Sequence, residues 1–99
     1  MIRKYSGLSP GTIRVLFELP AQFWAEKVYL VGDFNDWNME ATPMIQSGPE
    51  GEWRVMLELE TGKEYQFRYI ADGVHWHNDS AADKYVPNDK GSDNSVVIT

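Results

Sequence analysis

Apolar residues recur at every second position along several short segments of this chain, and no segment repeats them with the period of a helix. Such alternation is typical of β-strands that bury one face and expose the other. Residues that favour turns separate these segments. We expect six strands, at 12–18, 27–31, 52–59, 64–71, 74–77 and 95–99.

The segments between these strands are predicted to be turns and loops. Asp-Gly at 72–73 indicates a tight turn, and Glu-Thr-Gly-Lys at 60–63 indicates a hairpin turn between the strands that flank it. Residues 38–51 show no sustained period, so we expect a loop there. Residues 78–94 are rich in Asp, Asn, Gly and Lys, which favours a long loop.

The length of 99 residues corresponds to one domain. Short strands with frequent turns predict an all-β fold, an immunoglobulin-like antiparallel β-sandwich. The chain has no cysteine, which excludes the disulfide of antibody domains. Residues 1–11 are expected to form an irregular N-terminal leader, and residues 12–99 are expected to form the sandwich.

The chain is acidic, with a formal net charge of −6 and a pI near 4.7. Nucleic acids and anionic membranes bind basic surfaces, so we expect neither nucleic acid nor membrane as a partner. The N-terminus lacks the apolar run of a signal peptide, and no segment is long enough to span a bilayer. These features predict a cytoplasmic location, and we expect no cofactor.

The most informative segment is 28–37, which reads V-Y-L-V-G-D-F-N-D-W. Its first four residues predict a strand that Gly32 ends, and the polar turn that follows carries two large aromatic residues. A surface turn cannot bury both rings, so we expect Phe34 to enter the core and Trp37 to remain outside. An exposed flat ring on a stiff turn suits a sugar ring, whose C–H face is apolar while its rim carries hydroxyls.

The other three tryptophans are interpreted from their neighbours. Trp53 alternates with apolar residues, so we expect it in the core. Trp76 lies between His75 and His77 and faces away from both, which leaves a core and a surface position equally open. Trp24 lies in a connection outside every motif, where packing or an intermolecular contact would explain it.

A metal site and a catalytic site are the alternatives to a sugar platform. His75 and His77 share one strand face and Asp79 follows, a combination that suits zinc, although no further strong ligand is near in sequence. The 15 acidic residues include no recognisable pair for glycoside hydrolysis. We therefore expect no metal site and no enzymatic activity.

Five motifs occur in order along most of the chain: V-G-D-F-N-D-W at 31–37, G-E-W at 51–53, Y-Q-F-R-Y-I-A-D-G at 65–73, H-W-H-N-D at 75–79 and G-S-D-N-S-V-V-I at 91–98. Together they resemble the family-48 carbohydrate-binding module. Its members include the glycogen-binding domain of the AMP-activated protein kinase β subunit, and the N-terminal modules of glycogen branching enzymes and isoamylases. The resemblance implies an immunoglobulin-like β-sandwich that binds α-1,4-glucans such as glycogen.

The resemblance also implies a set of sugar-binding residues. Trp37 and Trp76 match the family's two stacking tryptophans. Arg68, which alternation places on the solvent face, stands where the family usually has a lysine that bonds sugar hydroxyls. Ser92 and Asn94 match a polar pair near the last strand.

The sequence departs from the glycogen-binding relatives at Lys90, where those relatives have a leucine that enters the sugar path. Two functions follow as hypotheses. The first is a non-catalytic module that binds glycogen, starch or maltooligosaccharides by tryptophan stacking. The second is a structural module that docks onto an α-amylase-superfamily enzyme and has a weak or vestigial sugar site. Exposure of both tryptophans on one sheet face would favour the first, and burial of Trp76 would favour the second.

Overall fold

The computed structural model describes residues 1–20, 25–47 and 49–99. In these ranges the chain forms, in order, β1 (Ile2–Ser6), β2 (Thr12–Leu19), β3 (Val28–Gly32), β4 (Ile45–Ser47), β5 (Glu52–Glu60), β6 (Glu64–Ala71), β7 (His75–His77), β8 (Lys84–Pro87) and β9 (Asp93–Ile98). A turn of 3₁₀ helix, η1 (Asp33–Asn35), follows β3. All six predicted strands are present, with ends that differ by at most two residues.

The strands form two antiparallel sheets packed face to face, which confirms the immunoglobulin-like β-sandwich. The first sheet has the order β1-β2-β5-β4. The second has the order β3-β6-β9-β8, and β7 pairs with β6 beside β9. The strand β6 is central because β3 lies along one edge and both β7 and β9 lie along the other.

The core lies between the inner faces of the two sheets. Alternate residues of β2 enter it, with Val15 and Phe17 both fully buried. From the opposite sheet Phe67 packs edge-on against Phe17, with ring centroids 5.0 Å apart, and against Tyr69 at 5.7 Å. Trp53 on β5 is 6 % exposed and belongs to this cluster, which confirms the prediction that it is core.

The prediction of a hairpin at 60–63 is wrong. The segment does turn the chain sharply, with Gly62 in the left-handed region at φ 75°. However, β5 belongs to the first sheet and β6 to the second, so this turn carries the chain across the sandwich. The physical reason is tertiary packing, because β6 pairs with β3 and β9 and thereby places Phe67 against Phe17 across the core.

Three segments predicted to be irregular contain strands. The segment 1–11 includes β1, which pairs with β2 from Ile2↔Phe17 to Ser6↔Ile13, so it is not an irregular leader. The segments 38–51 and 78–94 contain β4 and β8. All three strands lie at sheet edges and expose most of their side chains, so they show no clear alternation of apolar residues.

Trp24, for which packing or a contact was predicted, lies outside the described residues. Within the described ranges no helix is long and apolar enough to cross a membrane. The cytoplasmic location therefore stays a prediction.

Candidate functional site

The outer face of the second sheet has an apolar floor of its own. Antiparallel partners point to the same side of a sheet, so Val31 lies beside Arg68, Ile70 beside Trp76, and Val96 beside Gln66. The three apolar side chains of these pairs are at most 1 % exposed, although they stand outside the sandwich core. They are covered from above by the groups that form the candidate site.

The turn after β3 positions Trp37 with a rigid backbone. A Cβ at Gly32 would lie 2.5 Å from the carbonyl oxygen of Gln66, so only glycine fits this close approach. The Asn35 side chain accepts a hydrogen bond from the Gly32 amide at 3.1 Å and donates to the Leu30 carbonyl at 3.0 Å. Trp37 itself adopts a left-handed conformation at φ 57°. The turn is therefore held from inside by its own polar side chains.

The indole of Trp37 is fixed at its polar edge. Its Nε1–H donates to Asp33 Oδ1 at 2.9 Å, and the other oxygen of that carboxylate accepts from the Gln66 amide at 2.7 Å. Trp37 is partly exposed, whereas Phe34 in the same turn packs 5.7 Å from the Phe17 ring in the core. The prediction that one ring enters the core and the other stays outside is confirmed.

Trp76 lies at the surface, which resolves the alternative that its neighbours left open. A tight turn at Asp72 and Gly73, with φ 52° and 74°, returns the chain so that β7 pairs with β6. This confirms the predicted Asp-Gly turn. Trp76 is 38 % exposed, and the guanidinium carbon of Arg68 lies 5.7 Å from the centre of its ring. That distance is typical of a cation–π contact.

Arg68 is positioned by this ring rather than by an acid. Its Nε is buried without a hydrogen-bond partner among the described residues, and none of the ion pairs in those residues includes it. Arg68 faces outward from the sheet, as predicted, but its side chain is only partly exposed.

A chain of side-chain amides forms the polar edge of the site. Asn94 donates to Gln66 Oε1 at 3.0 Å and accepts from Asn88 Nδ2 at 3.2 Å. Asn88 Oδ1 in turn accepts from the backbone amides of Lys90 and Ser92 at 2.9 and 3.2 Å. These bonds fix the loop that carries Lys90 at the rim of the site.

The residues enclose one open cleft of about 470 Å³, which we call the tryptophan cleft. Four of the five predicted sugar-binding residues line it: Trp37, Arg68, Trp76 and Asn94. Ser92, the fifth, is exposed and does not line the cleft, although its backbone amide donates to Asn88 in the same loop. The lining is completed by Met39, Gln66, Asn88, Asp89 and Lys90.

Sequence reasoning missed most of these additional residues. Gln66 carried a usable signal, because it lies two positions before Arg68 on the same strand and therefore on the same face. The sequence carries no such signal for Asn88 or Met39, because each reaches the cleft from a loop. Lys90 lies in the cleft at the position where the sequence departs from the glycogen-binding relatives.

The two histidines and Asp79 do not come together as a metal site. Asp79 is 1 % exposed and accepts hydrogen bonds from the Tyr69 hydroxyl at 2.7 Å and the Met1 amino group at 2.6 Å. No group of three potential ligands is found among the described residues.

Two side chains near the site have shifted pKa values. Burial, the nearby His75 and the Arg68 charge lower the pKa of His77. Burial and the Asp79 carboxylate raise the pKa of Tyr69.

Comparison with known proteins identifies the family of this chain. The model of the family described as the glycogen recognition site of AMP-activated protein kinase matches residues 15–99. A 1,4-alpha-glucan branching enzyme, GlgB, from Aquifex aeolicus (strain VF5) is 41 % identical over 51 residues, which is 50 % of this chain. The match spans only 8 % of the length of that relative. The family match covers most of the chain, so this protein belongs to the glycogen-recognition family of carbohydrate-binding modules.

Proposed function

We propose that this module binds α-1,4-glucans in the tryptophan cleft by stacking sugar rings on Trp37 and Trp76. The observation that carries the proposal is that both indoles line a single cleft together with Arg68 and Asn94. Membership of a glycogen-recognition family supports the ligand class.

The chemistry of the cleft suits a neutral sugar chain. The two rings offer apolar faces, which match the C–H faces of glucose. Around them, Gln66, Asn88 and Asn94 supply amide donors and acceptors for hydroxyl groups. Arg68 and Lys90 supply donors on either side. This combination of an apolar platform and a polar rim is typical of small-molecule sites.

The expected affinity is modest. Stacking on two rings and a few hydrogen bonds, offset by the entropy cost of association, leaves about −4 to −6 kcal/mol. This corresponds to a Kd between about 1 mM and tens of micromolar for a short oligosaccharide. Glycogen presents many chain ends, so a particle that holds several modules retains them more tightly than the single-site value suggests.

The test is native gel electrophoresis with and without glycogen in the gel, followed by titration calorimetry with maltoheptaose. Glycogen should retard the protein, and the double variant Trp37→Ala/Trp76→Ala should migrate equally in both gels. Cellohexaose serves as a control, because its β-linked chain has a different curvature. Absence of retardation, together with no heat at millimolar maltoheptaose, would contradict the proposal.

We also propose that the module is non-catalytic. Among the described residues, Asp89 is the one carboxylate that lines the tryptophan cleft, whereas glycoside hydrolysis uses two carboxyl groups that flank the bond. Highly purified protein incubated with glycogen should release no reducing sugar. Release that disappears on substitution of a single acidic residue would overturn this.

Docking onto an α-amylase-superfamily enzyme is the second candidate function. The outer face of the first sheet exposes Tyr5 (43 %), Ile45 (69 %) and Met56 (44 %), which could contact a partner. The similarity to a branching enzyme suggests the kind of partner. Co-elution with a glucan branching enzyme in gel filtration, lost on Ile45→Glu, would support docking. Separate elution with intact glycogen binding would leave glucan binding as the function.

A further inference from the structure

A second open cavity lies on the same sheet face as the tryptophan cleft. It has a volume of about 790 Å³, and Tyr29, Glu40 and Asp72 are among its lining residues. We call it the Tyr29 cavity. Met39 lines both the Tyr29 cavity and the tryptophan cleft, so the two are adjacent parts of one surface.

The strand register shows where the two cavities lie relative to each other. Trp76 on β7 is the partner of Ile70 on β6, Ile70 is the partner of Tyr29 on β3, and Tyr29 bridges to Pro43. Partners share a face, so these four side chains form one row across the outer face. Neighbouring strands lie about 4.8 Å apart, which puts the backbones at Trp76 and Tyr29 about 10 Å from each other. That separation is longer than one sugar unit, so a chain that contacts both rings spans several units.

We propose that the Tyr29 cavity is an additional glucan subsite, in which the Tyr29 ring supports sugar units that extend beyond the tryptophan cleft. The proposal rests on the proposed function, because the chain enters this cavity from the tryptophan pair. The ligand is a longer segment of the same neutral α-glucan. Met39 provides apolar surface between the tryptophan cleft and the Tyr29 cavity.

The polar groups of the Tyr29 cavity disfavour an anionic ligand. Among the described residues, Glu26, Glu40 and Asp72 line it, together with Lys27 as the one basic side chain. Carboxylate oxygens accept hydrogen bonds from sugar hydroxyls and repel phosphate or carboxylate groups. One oxygen of Asp72 already accepts from the amides of Glu26 and Lys27 at 2.9 and 3.0 Å. Those bonds hold the carboxylate at the rim of the cavity.

The test compares maltotriose with maltoheptaose by titration calorimetry, because only the longer chain can occupy both cavities. The wild-type protein should bind maltoheptaose about tenfold more tightly than maltotriose. Tyr29→Thr replaces the ring with a residue that also favours strands, and it should reduce this ratio to about twofold, with the maltotriose affinity unchanged. Tyr29→Phe retains the ring and should retain the full ratio.

Two further variants make the result specific. Tyr5→Thr makes the same substitution on the outer face of the first sheet and should leave both affinities unchanged. Glu40→Ala alters an exposed residue of the Tyr29 cavity outside any strand and should weaken maltoheptaose binding about threefold, with maltotriose unaffected. This variant tests the subsite even if Tyr29→Thr does not fold.

The outcomes distinguish the subsite from the proposed function. If Tyr29→Thr and Glu40→Ala both keep the full tenfold ratio while the wild type binds glucans, the subsite is wrong and the tryptophan cleft stands. If the wild type binds neither oligosaccharide, both proposals fail. If maltotriose binding is lost in Tyr29→Thr despite a native circular dichroism spectrum, Tyr29 belongs to the tryptophan cleft and the separate subsite is overturned.

Discussion

On the outer face of the first sheet, Glu18 forms ion pairs with Arg3 at 3.0 Å and with Arg54 at 2.7 Å. On the outer face of the second sheet, Arg68 has no acidic partner among the described residues and lies against Trp76 instead. Both faces border solvent and both carry arginine. On the first face two arginines therefore share one buried carboxylate, whereas the second face leaves a cation and two indoles oriented toward a cleft.

This difference indicates where a ligand can gain free energy. A ligand gains little free energy on a face whose charges are already paired, because each new contact competes with an existing one. A face with partly exposed rings and unpaired donors offers contacts that are not yet made. The following experiments test whether the two faces are separable in stability and in binding.

The largest effect is expected for the core tryptophan beneath the first face. Trp53→Ala should lower the free energy of unfolding by about 3–5 kcal/mol, because it removes a buried ring and leaves a cavity. Trp53→Phe should cost less, because it retains most of the volume and the indole Nε1 has no hydrogen-bond partner among the described residues. Urea unfolding measures both. Equal losses for the two variants would contradict the packing explanation.

Much of this comparison could be predicted from the sequence, because it depends on local patterns. Trp53 alternates with apolar residues, and Phe34 and Trp37 share a turn that can bury only one ring. Trp76 could not be placed in this way, because its neighbours are two histidines rather than apolar residues. The exposure of this segment depends on the pairing of β7 with β6.

Which strands share a sheet could not be predicted from local patterns. The turn at 60–63 has hairpin chemistry, yet the two strands that it joins lie in different sheets, because strand pairing depends on the packing of the whole fold. For the same reason Asn88 and Met39 could not be assigned to the site. Each reaches the cleft from a loop whose path is fixed by tertiary hydrogen bonds such as those of Asn88 with Asn94 and Ser92.

The second prediction concerns the tryptophans of the second face. Trp37→Ala and Trp76→Ala should each weaken maltoheptaose binding by about tenfold or more, because one lost stacking contact exceeds about 1.4 kcal/mol. Both should cost much less stability than Trp53→Ala, since both rings remain partly exposed. Calorimetry and urea unfolding of the same preparations separate the two effects. If Trp76→Ala destabilises the domain as severely as Trp53→Ala, docking onto an enzyme becomes the better supported of the two candidate functions.

The third prediction addresses the charges of the first face. Glu18→Gln should lower the free energy of unfolding by about 1–3 kcal/mol, because the buried side chain loses the charge that two arginines share. Glucan affinity should remain within twofold of the wild-type value. Lys63→Gln, which removes an exposed ion pair with Glu60, is the matched control and should change stability very little. A glucan affinity that falls in Glu18→Gln would mean that the two faces are coupled.

The fourth prediction concerns the stacked arginine of the second face. Arg68→Lys keeps the charge but loses the planar group against Trp76, so it should weaken maltoheptaose binding by about two- to fivefold. The tryptophan fluorescence spectrum should shift, because the surroundings of the Trp76 ring change. Arg54→Lys on the first face should change neither quantity. An unchanged affinity in Arg68→Lys would mean that the positive charge alone is sufficient.

The smallest effect is expected from pH. Burial is the main cause that lowers the pKa of His77 below its usual value of 6.5, and the charges of His75 and Arg68 act in the same direction. The unfolded chain therefore binds more protons than the folded one at mildly acidic pH. The stability that neutral His77 contributes is present above about pH 6.5 and is lost as the pH falls from there through the lowered pKa.

The measurement is the urea midpoint at pH 7.5 and at pH 5.5, a range that ends above the usual titration of the carboxylates. The midpoint should fall toward pH 5.5 in the wild type, and His77→Gln should reduce that decrease whatever its absolute stability. His75→Gln is the matched control, since that side chain is exposed on the same strand, and it should retain most of the decrease. An undiminished decrease in His77→Gln would assign the effect to other groups. A midpoint that rises toward pH 5.5 in the wild type would mean that the neutral imidazole is not the favoured form in the folded protein.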